Sequence, residues 1–281
     1  MANALTADTS LSESRGLSQA ERVLDTFIAP SKTFADVRRS ASWWLPFLLL
    51  VLAMLASAFT VQRQVGFDRA SENQIHASPK TEERLNALAP EQKARQMAMT
   101  TSITKATTFA MPLLFLAAWA LYSLILWASF NFGLGAQTNY RQVLAVTVYS
   151  GLPYLLLYLI TMATLYFGGN AEAYDYKSPI GSNLAYYMPD AAPWIRSVLA
   201  TLDVFKLWSV ALQTIGMAII ARKSITQSAI IVGGWYVISI LFAGAAGAFA
   251  RTFTSPSFIN SMIACSPPSP RRRTCSFRIR V

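Results

Sequence analysis

The sequence has little charge: only 14% of its residues are Asp, Glu, Lys or Arg, against roughly 25% in an ordinary soluble domain. A soluble surface needs many charged side chains, whereas a surface bathed in lipid needs them only where it meets water. Histidine occurs once, at His76 in a charged stretch, so the apolar body of the chain has no Ser-His or Cys-His nucleophile and the chain has no histidine metal cluster. The two cysteines, Cys265 and Cys275, both lie near the C-terminus. That leaves the body of the chain without a disulfide, a thiolate nucleophile or thiolate metal ligands. No glycine-rich phosphate loop is present either, because Gly133-Leu134-Gly135 lacks the third glycine and a preceding strand. These absences point away from an enzyme and imply no cofactor and no bound metal.

Charge is unevenly spread. The net charge is +10, but six arginines stand after residue 250 with no acid among them. The remaining chain is only mildly basic, which argues against nucleic acid as a partner. Acidic and basic residues are too closely spaced in the first 40 positions to leave the apolar core of a cleavable signal peptide.

What is present is a series of long uncharged runs. Ser40 to Gln62 is a 23-residue run without charge, enough to cross about 30 Å of hydrocarbon at about 1.5 Å per residue. Trp43, Trp44 and Pro46 stand at its entrance, tryptophans suiting the bilayer interface and proline the start of a helix. The patterning predicts an all-α polytopic membrane protein, a bundle of about five transmembrane helices over residues 42–62, 109–130, 143–167, 197–221 and 230–250. Residues 63–105, with seven Lys/Arg and five Asp/Glu, read as a water-exposed helical loop. Residues 1–16 read as disordered, residues 17–255 as one membrane domain and residues 256–281 as a basic, disordered tail. The tail fits either a targeting segment or an extension without an evolved role.

Before the first span, Ser18 with Glu21 forms a capping-box pattern for a short helix that Pro30 ends. A second short helix over 31–39, carrying Phe34 among Lys32, Arg38 and Arg39, is expected to lie on the bilayer surface. Pro112 and Pro153 bend or break the second and third spans. Small residues at four-residue spacing in the fifth span, Ala243 with Gly247 and Gly244 with Ala248, suit close helix packing within the chain or in an oligomer.

Asp203 and Lys206 fall inside the fourth predicted span. Intramembrane charge is a functional hypothesis, and an i, i+3 pair can bond on one helix face. The plainer alternative is a helix that begins near Phe205 and leaves both residues at the interface. A small transporter or channel using this pair and the proline-broken spans is the second function class. The short flanks carrying Lys32, Arg38, Arg39, Arg141, Arg222 and Lys223 share one side of a five-span layout, which favours a cytosolic N-terminus.

The layout resembles a known family. Phe27-Ile28-Ala29-Pro30-Ser31-Lys32-Thr33-Phe34 before Trp43-Trp44-Leu45-Pro46, followed by five spans, is similar to the Yip (Ypt/Rab-interacting protein) domain family in its bacterial form. Tyr149-Ser150-Gly151-Leu152-Pro153 resembles that family's Tyr-Ser-x-x-Pro element. The resemblance covers residues 20 to 250. It implies a five-span helical domain, a cytosolic N-terminus, residence in the bacterial inner membrane and a non-enzymatic role in organising membranes or binding partners. The Asp-Leu-Tyr-Gly-Pro element of eukaryotic members is replaced here by Phe27-Ile28-Ala29-Pro30, so small-GTPase binding does not carry over with the layout. Pro30, Phe34, Trp43, Trp44 and Pro46 are the expected residues for seating the N-terminal segment, and Tyr149, Ser150 and Pro153 for the packed interior.

Overall fold

The computed structural model describes residues 16–76, 79–168, 174–175, 178–188 and 191–253. The expected N-terminal and basic tails, with Cys265 and Cys275, lie outside them. The described residues form helices α1 (Gln19–Ile28), α2 (Pro30–Arg39), α3 (Trp44–Gln64), α4 (Phe67–His76), α5 (Pro79–Asn86), α6 (Pro90–Ala128), α7 (Tyr140–Ser150), α8 (Pro153–Phe167), α9 (Pro193–Thr201), α10 (Val204–Ala221) and α11 (Ile225–Phe253). No strand occurs among them; Asn183 and Asp203 form an isolated bridge.

Five segments are long and apolar enough to cross a bilayer: Trp44–Gln64, Pro90–Gly133, Tyr140–Phe167, Val204–Ala221 and Ile225–Ala248. The protein is therefore all-helical with five candidate spans, as the charge-free runs predict. Helix α3 packs against α8, α6 against α7, and α10 against α2, α7 and α11. The two ends of the bundle differ. At one end the long loops meet, where the Asn73 side-chain amide donates to the Tyr174 carbonyl (3.0 Å). At the other end the Gln142 amide donates to the Arg38 carbonyl (2.9 Å), tying the short connection before α7 to the N-terminal helices.

Each break in the helices has a local cause. Span two ends in a π-helical turn, Ser129–Gly133. Beyond it Asn131 clips the chain through Thr138, whose backbone N–H donates to Asn131 Oδ1 (2.9 Å), while Asn131 Nδ2 donates to the Thr138 carbonyl (3.0 Å). The third span bends at Gly151-Leu152, with Pro153 at the first position of α8, where a missing N–H costs nothing. A Cβ on Gly151 would come within 2.8 Å of the Trp119 ring, so glycine is needed there for helix contact.

Polar side chains tie three spans together inside the bundle. Ser123 Oγ (2.9 Å) and Gln213 Nε2 (3.1 Å) both donate to Thr147 Oγ1, which itself donates to the Val143 carbonyl (3.0 Å). With no water at hand such groups must satisfy one another. Thr147→Val keeps the shape and strands two donors. It is expected to lower stability in detergent by about 1 kcal/mol, read as a fall in thermal midpoint, and an unchanged midpoint would show that the network adds nothing.

Candidate functional site

Two features stand out. The first is the N-terminal hairpin. Ser18 caps α1 in a full capping box: its hydroxyl accepts the Glu21 N–H and its own N–H donates to the Glu21 carboxylate. A single residue, Ala29, joins α1 to α2. Its N–H donates to the Asp25 carbonyl (2.8 Å), its carbonyl accepts the Lys32 N–H (2.9 Å), and Pro30 has no N–H to satisfy. So sharp a turn, with its donors used, can sit away from water.

The hairpin is wedged into the bundle rather than laid on its surface. Phe34 and Val37 are fully buried in the main core with Tyr149, Leu152, Leu212 and Met217. The Phe27 ring meets Trp208 edge-on at 5.7 Å. Trp208 lies about 20 Å along α10 from Arg222, at about 1.5 Å per residue, so the turn reaches well into the span. The expectation of a surface-lying segment is therefore corrected: the apolar side of α2 is covered by α10 and α7, which periodicity alone cannot distinguish from lipid.

A buried ion pair holds the two arms together. Arg22 Nε lies 2.6 Å from Asp36 Oδ2, with both side chains almost wholly buried. Arg22 also donates to the Ser40 carbonyl (3.0 Å), and its own carbonyl accepts Thr26 (2.7 Å) and Thr33 (3.0 Å) hydroxyls. The Tyr149 hydroxyl donates to Gln19 Oε1 (3.3 Å), linking α7 to the hairpin. Sequence reasoning missed the Arg22–Asp36 pair; the one available signal was a residue of each sign on the inner face of its helix.

The expected seating residues divide. Phe34 and Tyr149 share the core, and Pro46, Ser150 and Pro153 are buried. Trp43 packs partly on that core and stacks edge-on with Phe47 at 5.7 Å, whereas Trp44 points outward and is 56% exposed. Pro30 starts α2 at the turn. Ser150 Oγ is buried without a hydrogen-bond partner.

The second feature is a cavity of about 570 Å³ at the long-loop end. Spans one, two and three line it with Met54, Met111, Phe115, Tyr154, Leu157 and Tyr158, and Asp203 and Lys206 enter from the start of span four. The fourth span begins later than the predicted residue 197: α9 stops at Thr201 and α10 starts at Val204, with Asp203 as its N-cap. Asp203 Oδ1 accepts the Phe205 (2.9 Å) and Lys206 (3.1 Å) backbone N–H groups, and Oδ2 accepts the Ser182 hydroxyl. Asp203 therefore bonds the Lys206 backbone, and the two side chains do not form an ion pair. The small residues of span five serve contacts within the chain, since a Cβ on Gly247 would meet Ser197 Oγ at 2.7 Å and one on Gly244 would meet Val198 at 3.0 Å.

No group of three or more metal-ligating side chains occurs among the described residues. No curated protein and no solved structure matches the chain. The family model for the Yip1 domain matches residues 24–247, a stretch that runs from α1 of the hairpin to the small-residue face of the fifth span. By its five apolar helices and by that match, the chain is a multi-pass membrane protein belonging to the Yip1 domain family.

Proposed function

We propose that this protein is a non-enzymatic scaffold of the Yip type, working through residues 17–255 to organise membrane or to bind partners, and that the N-terminal hairpin is the part that meets them. One observation carries this reading: the two faces of the hairpin are treated oppositely. The inner face is fixed by Phe34, Val37 and the Arg22–Asp36 pair, while the outer face leaves Leu24 62% and Ile28 80% exposed. A buried ion pair adds little stability over apolar packing, but it defines one geometry. A surface held in a defined geometry is what recognition of a partner needs.

The reading includes a bacterial inner-membrane location, after the family resemblance, with the hairpin toward the cytosol. Arg141, Arg222 and Lys223 flank the short connections at the hairpin end, which supports that orientation. Photocrosslinking from position 28 in native membranes tests the scaffold role. A discrete protein adduct, lost when Phe34→Ser unseats the hairpin, is the expected result. Adducts to lipid alone would reduce the hairpin to an anchor and end the proposal.

A transporter or channel built on Asp203 and Lys206 is the second reading, favoured by the cavity that both residues line. Against it, the lining residues belong to the long-loop half of the bundle, and the hairpin half is filled by Leu126, Tyr149, Met217 and their neighbours. A route across would require that core to part. Flux in proteoliposomes that Asp203→Asn abolishes would replace the scaffold reading with this one.

A further inference from the structure

The cavity at the long-loop end brings one cation and two phenols beside a carboxylate whose oxygens are already in use. The one carboxylate among the described lining residues, Asp203, already receives three donors from Ser182 and the first turn of α10. The Lys206 ammonium has no hydrogen bond or ion pair among the described residues. Tyr154 and Tyr158 stand one turn apart on α8 and line the same space, and neither hydroxyl has an acceptor among the described residues. A cation and two phenols in a partly enclosed, mainly apolar site need an acceptor-rich partner, because leaving them unmatched is costly.

The rest of the wall narrows the class of partner. Met54, Met111, Phe115 and Leu157 present a continuous apolar surface beside the donors. The lining reaches from the start of α10 to about the middle of the first and third spans, where Met54 and Tyr154 stand. A small inorganic anion would leave the apolar wall uncovered, and a hydrocarbon would leave the donors unmatched. The volume, about 570 Å³, lies in the range of sites that take one small molecule.

We propose that this cavity binds the head of one anionic acyl lipid, its phosphate or carboxylate accepting from Lys206, Tyr154 and Tyr158 and its chain lying along Met54, Met111, Phe115 and Leu157. Asp203 acts as a positioning residue: by capping α10 it sets the first turn from which Lys206 projects. The site is separate from the hairpin surface and does not depend on it.

Native mass spectrometry of the full chain, extracted from membranes in mild detergent, tests the proposal, with fragmentation of the released lipid to separate a phospholipid from a fatty acid. The wild type is expected to retain one such lipid. Lys206→Met should lower the bound fraction about tenfold, the effect of removing one charge-assisted contact, and Tyr154→Phe should lower it less. Lys105→Met, at an exposed position outside the cavity, should change nothing. Leu157→Trp fills the cavity without altering charge and should also expel the lipid, which keeps the test valid if Lys206→Met fails to fold. Two results would overturn the proposal: a wild type that neither retains anionic lipid nor takes it up from mixed micelles, or Lys206→Met and Leu157→Trp proteins that bind as the wild type does.

Discussion

Arg22→Ala should release the N-terminal hairpin and destabilise the protein by about 3–5 kcal/mol, the usual result of removing one partner from a buried ion pair. The substitution strands the Asp36 carboxylate, which is almost fully buried and has Arg22 2.6 Å away as its counter-charge. It also leaves the Ser40 carbonyl without the guanidinium donor that it receives at 3.0 Å. Thermal unfolding in detergent reads the stability, and thiol labelling of a cysteine placed at the buried Thr33 reads release, in a background lacking Cys265 and Cys275. The pair's own net worth is a different quantity. Arg22→Met combined with Asp36→Leu removes both charges and should recover most of the lost stability. If Arg22→Ala labels and melts like the wild type, the pair does not hold the hairpin.

Phe34→Ala is expected to cost a similar amount, about 3–5 kcal/mol, because it empties a fully packed site. Phe34 is 0% exposed. Its ring lies so close to α10 that a Cβ on Gly216 would stand 3.0 Å from two ring carbons and 2.6 Å from Val146 Cγ1. The same contact can be spoiled from the other side: Gly216→Val should unseat the hairpin by overpacking, at about 1–3 kcal/mol. Trp44 provides the contrast. It was expected beside Phe34 as a seating residue, yet its exposed ring makes Trp44→Ser a surface change of about 0.5 kcal/mol or less. Equal losses from Phe34→Ala and Trp44→Ser, measured as thermal midpoints under one condition, would contradict the wedged arrangement.

Much of the architecture was legible because lipid imposes a simple rule on sequence. Residues that face hydrocarbon must be uncharged over about 20 positions, so Ser40 to Gln62 declares a span whatever it packs against. Local chemistry was legible as well. Ser18 with Glu21 marks a helix start, Pro30 ends that helix, and Pro153 marks a bend, since each acts on backbone groups within a few residues. The start of the fourth span was less so. Asp203 can be a paired charge within a helix or the cap before it, and the choice rests on Ser182, about 20 positions earlier, which turns the carboxylate toward the loop.

The hairpin shows why the remainder was hidden. An amphipathic helix with Phe34 and Val37 on one side and Lys32 and Arg39 on the other satisfies the same pattern on a bilayer surface and in a protein groove. Nothing within the segment distinguishes acyl chains from Met217 and Tyr149. Likewise Arg22 and Asp36 are 14 positions apart on separate helices, and each alone reads as an ordinary solvated charge. The one-dimensional pattern of apolar and charged residues determined the helical class, the number of candidate spans and the family. Tertiary structure alone decided that the hairpin enters the bundle, that Arg22 and Asp36 meet, and that Lys206 faces a cavity with unmatched donors. Transfer between water and an apolar phase depends on each residue's own chemistry, whereas a buried contact depends on which partner the fold brings within bonding distance.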